Sequence, residues 1–162
     1  MSALRGHAPV PEVLGWCGDS AVIGRQFALI EYIDGVSITA QLPDSYDGVS
    51  AVNKLGEQLA DALAAIAIAP WQKLELADFG NPENFLRRQI ERWLTLRSKS
   101  GVRELPQLAV LGQWLLDNVP ASAPVGVVHG DYHLDNTLCN KARPELLAVI
   151  DWEMATIGDP LT

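Results

Sequence analysis

Residues 129–136 read HGDYHLDN, and a second polar stretch, IDWE at residues 150–153, follows another short apolar run. We expect both stretches to lie in loops at strand ends, where functional side chains usually sit. Their order gives a carboxylate (Asp131), an amide five residues later (Asn136) and then a second carboxylate (Asp151). This set suits metal-assisted phosphoryl transfer, in which one Asp orients or deprotonates the attacking hydroxyl while the amide and the other Asp hold Mg²⁺ on nucleotide phosphates.

The composition of the chain is that of an ordinary globular domain, with 162 residues of which 48% are hydrophobic and 20% are charged. These fractions exclude a disordered, collagenous or coiled-coil chain. The net charge of −8 argues against nucleic acid or an anionic membrane surface as the main partner. The longest apolar stretch, residues 62–70, has about half of the ~20 residues that span a bilayer, and the first residues lack the order of a signal peptide. We therefore expect a cytoplasmic protein without a transmembrane helix.

Apolar runs bounded by Gly, Pro and polar residues predict the strands. Residues 11–17 and 27–33 are typical of two adjacent strands. Three shorter strands are expected later in the chain, at residues 125–128, 137–139 and 146–150.

Three helices are predicted between these two groups of strands. Asn81-Pro82 indicates the N-cap and the first residue of the second helix, and the third runs from Pro106 to Pro120. The first helix ends near Pro70 and carries one apolar stripe at steps of three and four: Val49, Val52, Leu55, Leu59, Leu63 and Ile66.

The two polar stretches resemble the motifs of the aminoglycoside phosphotransferase family, which is related to the protein kinases. The catalytic loop of that family reads HGDxxxxN, and its metal-binding strand reads IDW or similar. The resemblance extends to the hinge-like LIEYIDG at residues 29–35 and to GDP at residues 158–160. Within the family, residues 84–90 and 152–160 are most similar to the kinase-like domains associated with acyl-CoA dehydrogenases.

The resemblance implies an α+β, protein-kinase-like fold, mainly the helical large lobe with a remnant of the small lobe. Residues 1–35 would be the small-lobe remnant and hinge, and residues 36–162 the large lobe, incomplete at its C-terminus. No glycine-rich phosphate loop is present, and no lysine precedes Lys54. We therefore expect a fragment that binds ATP poorly, transfers phosphate slowly or not at all, and self-associates through an exposed strand edge.

The resemblance also implies roles for individual residues, with ATP and Mg²⁺ as cofactors. Asp131 would be the catalytic base and His129 would support the catalytic loop. Asn136 and Asp151 would be the Mg²⁺ ligands. The adenine would pair with the hinge backbone and lie between two apolar side chains, a site formed by Glu31, Tyr32, Ile33, Leu138 and Ile150.

Several residues near these motifs have other interpretations. His133 lies four residues after His129, but the sequence between them lacks the Glu of HExxH, which argues against zinc. Residues 78–80 spell DFG but precede the catalytic loop, so we predict a turn before the Asn81 cap. Asp135 is predicted to be a solvated loop residue, whereas backbone-bracing roles are predicted for Glu153 and Asp159.

The favoured function is ATP-dependent phosphoryl transfer to a hydroxyl group of a small molecule. The alternatives are a catalytically inactive kinase-fold fragment or binding module, and a metal-dependent hydrolase that uses the same carboxylates. The acceptor stays open between a hydroxyacyl-CoA and an aminoglycoside-like compound. An arginine-rich helix face favours an anionic acceptor slightly, although a solvated face explains it equally well: Arg87, Arg88, Arg92 and Arg97.

Overall fold

The computed structural model of the protein describes residues 1–99, 105–121 and 124–162. In these ranges the helices are α1 (Gly48–Ala67), α2 (Phe85–Lys99) and α3 (Pro106–Asp117). The strands are β1 (Val13–Cys17), β2 (Phe27–Ile30), β3 (Gly126–Val128), β4 (Thr137–Cys139), β5 (Leu146–Val149) and β6 (Thr156–Gly158).

The strands pair as two-stranded antiparallel sheets, β1 with β2, β3 with β6 and β4 with β5. The predicted strands are all found, with ends that differ by up to three residues. The sequence analysis did not predict β6, which returns after the IDWE stretch and pairs along the whole of β3. This return brings the segment after β5 back to the segment after β3.

Helix α1 packs against β3 and β5 and supplies much of the core. Its Ala62 and Ile66 belong to one buried cluster, and its Leu55 belongs to another that contains Cys139. The predicted apolar stripe is wrong at three positions, because Val49, Val52 and Leu63 are 76%, 47% and 39% exposed. Leu55 and Ile66 of the stripe are buried, and Leu59 is partly buried.

Helix α2 begins three residues later than predicted. The side-chain oxygen of Asn81 accepts a hydrogen bond from the Glu83 backbone N–H at 2.9 Å, which forms a local turn instead of a helix cap. Asn84 then adopts a left-handed backbone conformation, with φ of 50°, and the helix starts at Phe85. The third helix begins with Pro106 at its first turn, as predicted.

Residues 78–80, which spell DFG, lie in the turn region before α2, as predicted. In the part of the chain that the structure describes, we find no helix with the length and apolar character needed to cross a membrane.

Candidate active site

His129 joins the loop after β3 to the end of β5. The side chain is 1% exposed, and its Nε2 donates to the Ile150 carbonyl at 3.0 Å. Its Nδ1 accepts a long hydrogen bond of 3.4 Å from the Asp131 backbone N–H. The ring also makes edge contacts with Trp152 and Tyr132, with centroid distances of 4.6 and 5.9 Å. His129 therefore links the loop after β3 to the end of β5, and its role as support of a catalytic loop stays a prediction.

Burial shifts the pKa values of two side chains in this loop, His129 and Tyr132. Desolvation lowers the pKa of His129, although the Ile150 carbonyl and nearby carboxylates act in the opposite direction. A neutral imidazole also fits the two bonds, since one nitrogen donates and the other accepts. Burial raises the pKa of Tyr132 to about 12, and its hydroxyl donates to the Leu59 carbonyl of α1 at 2.7 Å. Tyr132 thus anchors the loop to α1.

Asp131 and Asn136 are in direct contact. The Asn136 Nδ2 donates to the Asp131 Oδ2 and to the Asp131 carbonyl, each at 2.9 Å. The His133 Nε2 lies 3.4 Å from the same carboxylate oxygen and 3.2 Å from the Asn136 nitrogen. Because the Asp131 side chain is 49% exposed, its carboxylate is held in place and still open to an incoming hydroxyl.

Asp151 follows β5, and its preceding residue, Ile150, is hydrogen-bonded to Asn136. The Ile150 N–H donates to the Asn136 carbonyl at 2.9 Å, and Asp151 then turns away with φ of 62°. An amide oxygen and a carboxylate are the hard ligands that Mg²⁺ prefers, and the Asn136 nitrogen is already bound to Asp131, which leaves its oxygen for a cation. Asn136 and Asp151 are therefore of the residue types found in magnesium sites, and their joint binding of the cation stays a prediction.

A metal site made from protein side chains alone is not supported. Across residues 1–99, 105–121 and 124–162, no group of three or more His, Cys, Asp or Glu side chains could hold a metal ion. Both ring nitrogens of His129 are also engaged by the protein, so this ring has no nitrogen to offer to zinc.

The segments after β3 and β5 are in close contact. Gly130 has φ of 87°, and a Cβ at this position would lie 2.5 Å from the Met154 carbonyl oxygen. Farther along, the buried Asp159 accepts a hydrogen bond from the Leu161 N–H at 3.0 Å, which is the bracing role predicted for it. The two polar stretches of the sequence therefore form one packed unit.

The predicted hinge follows β2. The Glu31 N–H donates to the Glu12 carbonyl, and the Ile33 carbonyl accepts from the Gly35 N–H, both at 2.8 Å. Tyr32, between Glu31 and Ile33, is 87% exposed. Pairing of this backbone with a nucleobase stays a prediction.

The two apolar residues predicted to enclose the base lie on the same pair of strands, Leu138 in β4 and Ile150 directly after β5. A Cβ on Gly35 would approach the Leu138 Cβ to 3.1 Å, so Leu138 lies beside the end of the hinge. Ile150 lies next to the catalytic loop, where its carbonyl binds His129.

Two of the four arginines on the arginine-rich face of α2 bind backbone carbonyls of the protein. Arg87 donates to the Leu116 carbonyl at the end of α3 at 3.1 Å. Arg88 donates to the Glu83 carbonyl at 2.9 Å. These two side chains stabilise the α2–α3 region, so they give little support to an anionic acceptor.

The sequence of the chain is similar to a known protein family and to known proteins. A family model described as "Phosphotransferase enzyme family" matches residues 1–162. Acyl-CoA dehydrogenase family member 10 of Mus musculus is 33% identical over 158 residues, which cover 94% of this chain and 14% of that protein. Probable acyl-CoA dehydrogenase IBR3 of Arabidopsis thaliana is 33% identical over 172 residues, which cover 99% of this chain and 21% of that protein.

Solved structures with the same fold are also found. A candidate aminoglycoside phosphotransferase of Ralstonia eutropha superposes with a TM-score of 0.87 at 33% identity, over 99% of this chain and 49% of that one. The GDP complex of aminoglycoside 2'-phosphotransferase-IIIa gives 0.72 at 22% identity, over 97% of this chain and 54% of that one. The chain therefore spans about half the length of these structures, and 14% and 21% of the lengths of the two acyl-CoA dehydrogenase relatives.

Proposed function

Because the chain belongs to the phosphotransferase enzyme family, we propose that it contains the catalytic centre of an enzyme that transfers the γ-phosphoryl group of ATP to a small-molecule hydroxyl. Its fold is the α+β, protein-kinase-like fold of the aminoglycoside phosphotransferases, as expected from the sequence. Its relatives are acyl-CoA dehydrogenase family members. The proposed setting is the cytoplasm, and the proposed division is a small-lobe part at residues 1–35 and a large-lobe part at residues 36–162.

The observation that carries the proposal is the 2.9 Å hydrogen bond from the Asn136 Nδ2 to the Asp131 Oδ2. Asp151 directly follows Ile150, whose backbone N–H donates to the Asn136 carbonyl. In this arrangement the exposed Asp131 carboxylate accepts the proton of the acceptor hydroxyl as its oxygen bonds to the γ-phosphorus, and the bond from that phosphorus to the bridging oxygen breaks to release ADP. The Asn136 amide fixes the direction of that carboxylate. Most of the rate enhancement then comes from positioning and from charge neutralisation.

Asn136 and Asp151 would hold Mg²⁺, which when bound neutralises charge on the nucleotide phosphates. The hinge backbone at Glu31 and Ile33 would pair with the adenine edge, and Leu138 and Ile150 would enclose its faces. Nucleotide binding by structural neighbours, which were solved with GDP or ADP, supports this part of the proposal.

For the acceptor, we favour a hydroxyacyl thioester over an aminoglycoside. The support is that the relatives sharing 30–33% identity over nearly all of this chain are named as acyl-CoA dehydrogenase family members. The structural neighbour solved with kanamycin is only 22% identical, a level at which likeness reports the fold and not the substrate.

The test measures ADP formation from Mg²⁺-ATP with a hydroxyacyl-CoA and with kanamycin, using the full polypeptide that the gene encodes. We expect turnover with the thioester and a loss of about 10³-fold in Asp131→Asn, the size typical of a lost catalytic base. Asp135→Asn is the matched control, because Asp135 lies in the same loop and its side chain is equally exposed, at 49%. Equal losses in both variants, or turnover that persists in Asp131→Asn, would contradict the role of Asp131.

A second candidate is a kinase-fold module without catalytic activity. It is favoured by the absence of a lysine before Lys54 and of a glycine-rich phosphate loop in these 162 residues. We expect the 162-residue chain by itself to bind ATP poorly and to turn over slowly or not at all. Absence of ATP binding in the full polypeptide as well would favour this second candidate.

A further inference from the structure

The short 3-10 turn Leu134–Asn136 carries the Asn136 side chain, and its backbone carbonyls are bound from outside the turn. The Leu134 carbonyl accepts from the Thr137 hydroxyl at 2.7 Å. The Asn136 carbonyl accepts from the Ile150 N–H at 2.9 Å. These two bonds come from β4 and from the end of β5, which are the strands on either side of the proposed magnesium site.

The third carbonyl of the turn is bound by a residue far away in the sequence. The Ser37 hydroxyl donates to the Asp135 carbonyl, across a separation of 98 residues. Ser37 lies two residues after Gly35, the last residue of the predicted hinge. The turn with the amide is thus connected directly to the segment that would hold the base.

The position of Ser37 is itself fixed by its neighbours. Val36 and Cys139 exchange two backbone hydrogen bonds of 2.8 Å each, which adds the segment to the edge of β4. Asp34 forms an ion pair with Lys141. Gly35 packs so closely that an added Cβ would lie 3.1 Å from the Cys139 carbonyl oxygen. Loss of the Ser37 hydroxyl would therefore leave the segment in place and free only the turn.

We infer that Ser37 is a positioning residue, which sets the orientation of Asn136, and through it of the Asp131 carboxylate, relative to the hinge. The inference rests on the proposed function for its catalytic meaning. A peptide turn of three residues has little rigidity of its own, so each carbonyl bond that it receives limits the directions available to the amide. Small displacements at a reacting centre are sufficient to lower the rate strongly.

The chain provides a matched control in Ser45. Its hydroxyl donates to the Lys141 carbonyl at 2.8 Å, across 96 residues, so it makes the same type of long-range bond, but to a residue after β4 and not before it. The Ser45 bond lies beyond the end of β4, away from the turn. Ser37→Ala and Ser45→Ala therefore each remove one serine-to-carbonyl bond, and only the first touches the proposed site.

The first experiment uses the 162-residue chain and requires no activity. The side-chain amide signals of Asn136 are recorded by nuclear magnetic resonance in both alanine variants and in Ser37→Thr, which keeps the hydroxyl. We expect the Asn136 signals to shift and exchange faster with water in Ser37→Ala, and to stay unchanged in Ser45→Ala. Signals that are unchanged in Ser37→Ala, or that change equally in both alanine variants, would overturn the inference.

The second experiment measures kinetics in the full polypeptide. We expect Ser37→Ala to lower kcat about tenfold with little change in the KM of the acceptor, since a misdirected Asp131 affects reaction more than binding. Ser37→Thr should recover most of the rate, and Ser45→Ala should keep it. A fall in kcat that is equal in both alanine variants would show a general structural effect and contradict the inference. If the wild type has no activity, the proposed function fails, and the Asn136 signals still decide the role of Ser37.

Discussion

Two regions of the molecule are built from short antiparallel strands, yet they are stabilised very differently. One is the catalytic-loop region, which comprises β3, β4, β5 and the loop at residues 129–136, and the other is the β1–β2 hairpin. Strands β3 and β4 are only three residues long, but β3 is completely buried and its following histidine is bound at both ring nitrogens. The hairpin strands are longer, and within the described ranges they pair only with each other. Large side chains of the hairpin are exposed, among them Leu14 at 65% and Trp16 at 67%.

This difference shows that strand length and β-propensity do not identify the rigid part of this molecule. The catalytic-loop region is held by side-chain bonds from Tyr132 to α1, from His129 to the carbonyl that follows β5, and from Ser37 to the Asp135 carbonyl. The hairpin has good strand formers but few neighbours to pack against. The comparison predicts that equivalent substitutions have large effects in the first region and small effects in the second.

The largest effect on stability is expected from Gly130→Ala. The residue has φ of 87°, and the new Cβ would lie 2.5 Å from a backbone oxygen that cannot move easily. We expect a loss of about 3 kcal/mol in the free energy of unfolding, from backbone strain and overpacking together. The measurement is urea unfolding followed by circular dichroism.

Gly24→Ala is the control for this prediction, because Gly24 lies just before β2 and has the same φ of 87° with no atom within 4 Å of the added Cβ. Backbone strain alone predicts a loss of about 1 kcal/mol there. Equal losses at the two positions would mean that the close contact with Met154 adds nothing.

The sequence was informative where chemistry depends on spacing along the chain. The interval between Asp131 and Asn136 predicted two neighbouring groups, and the structure places them in contact. The sequence was uninformative where contacts between distant residues determine the structure. Strand β6 is too short to give a periodic pattern, and the bond from Ser37 has no local signal because its acceptor is 98 residues away. The start of α2 was missed because nothing in the sequence marked the left-handed conformation of Asn84.

An intermediate effect is expected from pH acting on His129. Burial lowers its pKa in the folded protein, despite the opposing influence of Asp131 and Asp151 and in the same direction as His133. The unfolded chain therefore binds the proton first, so stability is highest above the unfolded pKa of about 6.5 and declines as pH falls below it. We expect a smaller unfolding free energy at pH 5.5 than at pH 7.5.

This pH effect is checked by urea unfolding at both pH values, together with the titration of the His129 ring signals in the folded protein. His129→Gln should reduce the pH dependence. A His129 ring that titrates in the folded protein at or above its ordinary value would contradict the assignment of the pH effect to this residue.

The smallest effect on stability is expected from Trp16→Ser in the hairpin. Because Trp16 is 67% exposed, we expect a change within about 0.5 kcal/mol, whereas Trp152→Ser should cost about 3 kcal/mol. Trp152 packs on His129 and donates from Nε1 to the Val149 carbonyl at 2.9 Å.

An exposed apolar face beside unpaired strand edges favours association, so Trp16→Ser should also weaken self-association of the chain in sedimentation velocity. If Trp16→Ser costs as much as Trp152→Ser at a concentration where the chain is monomeric, the hairpin is as strongly packed as the catalytic-loop region, and the contrast between them is wrong.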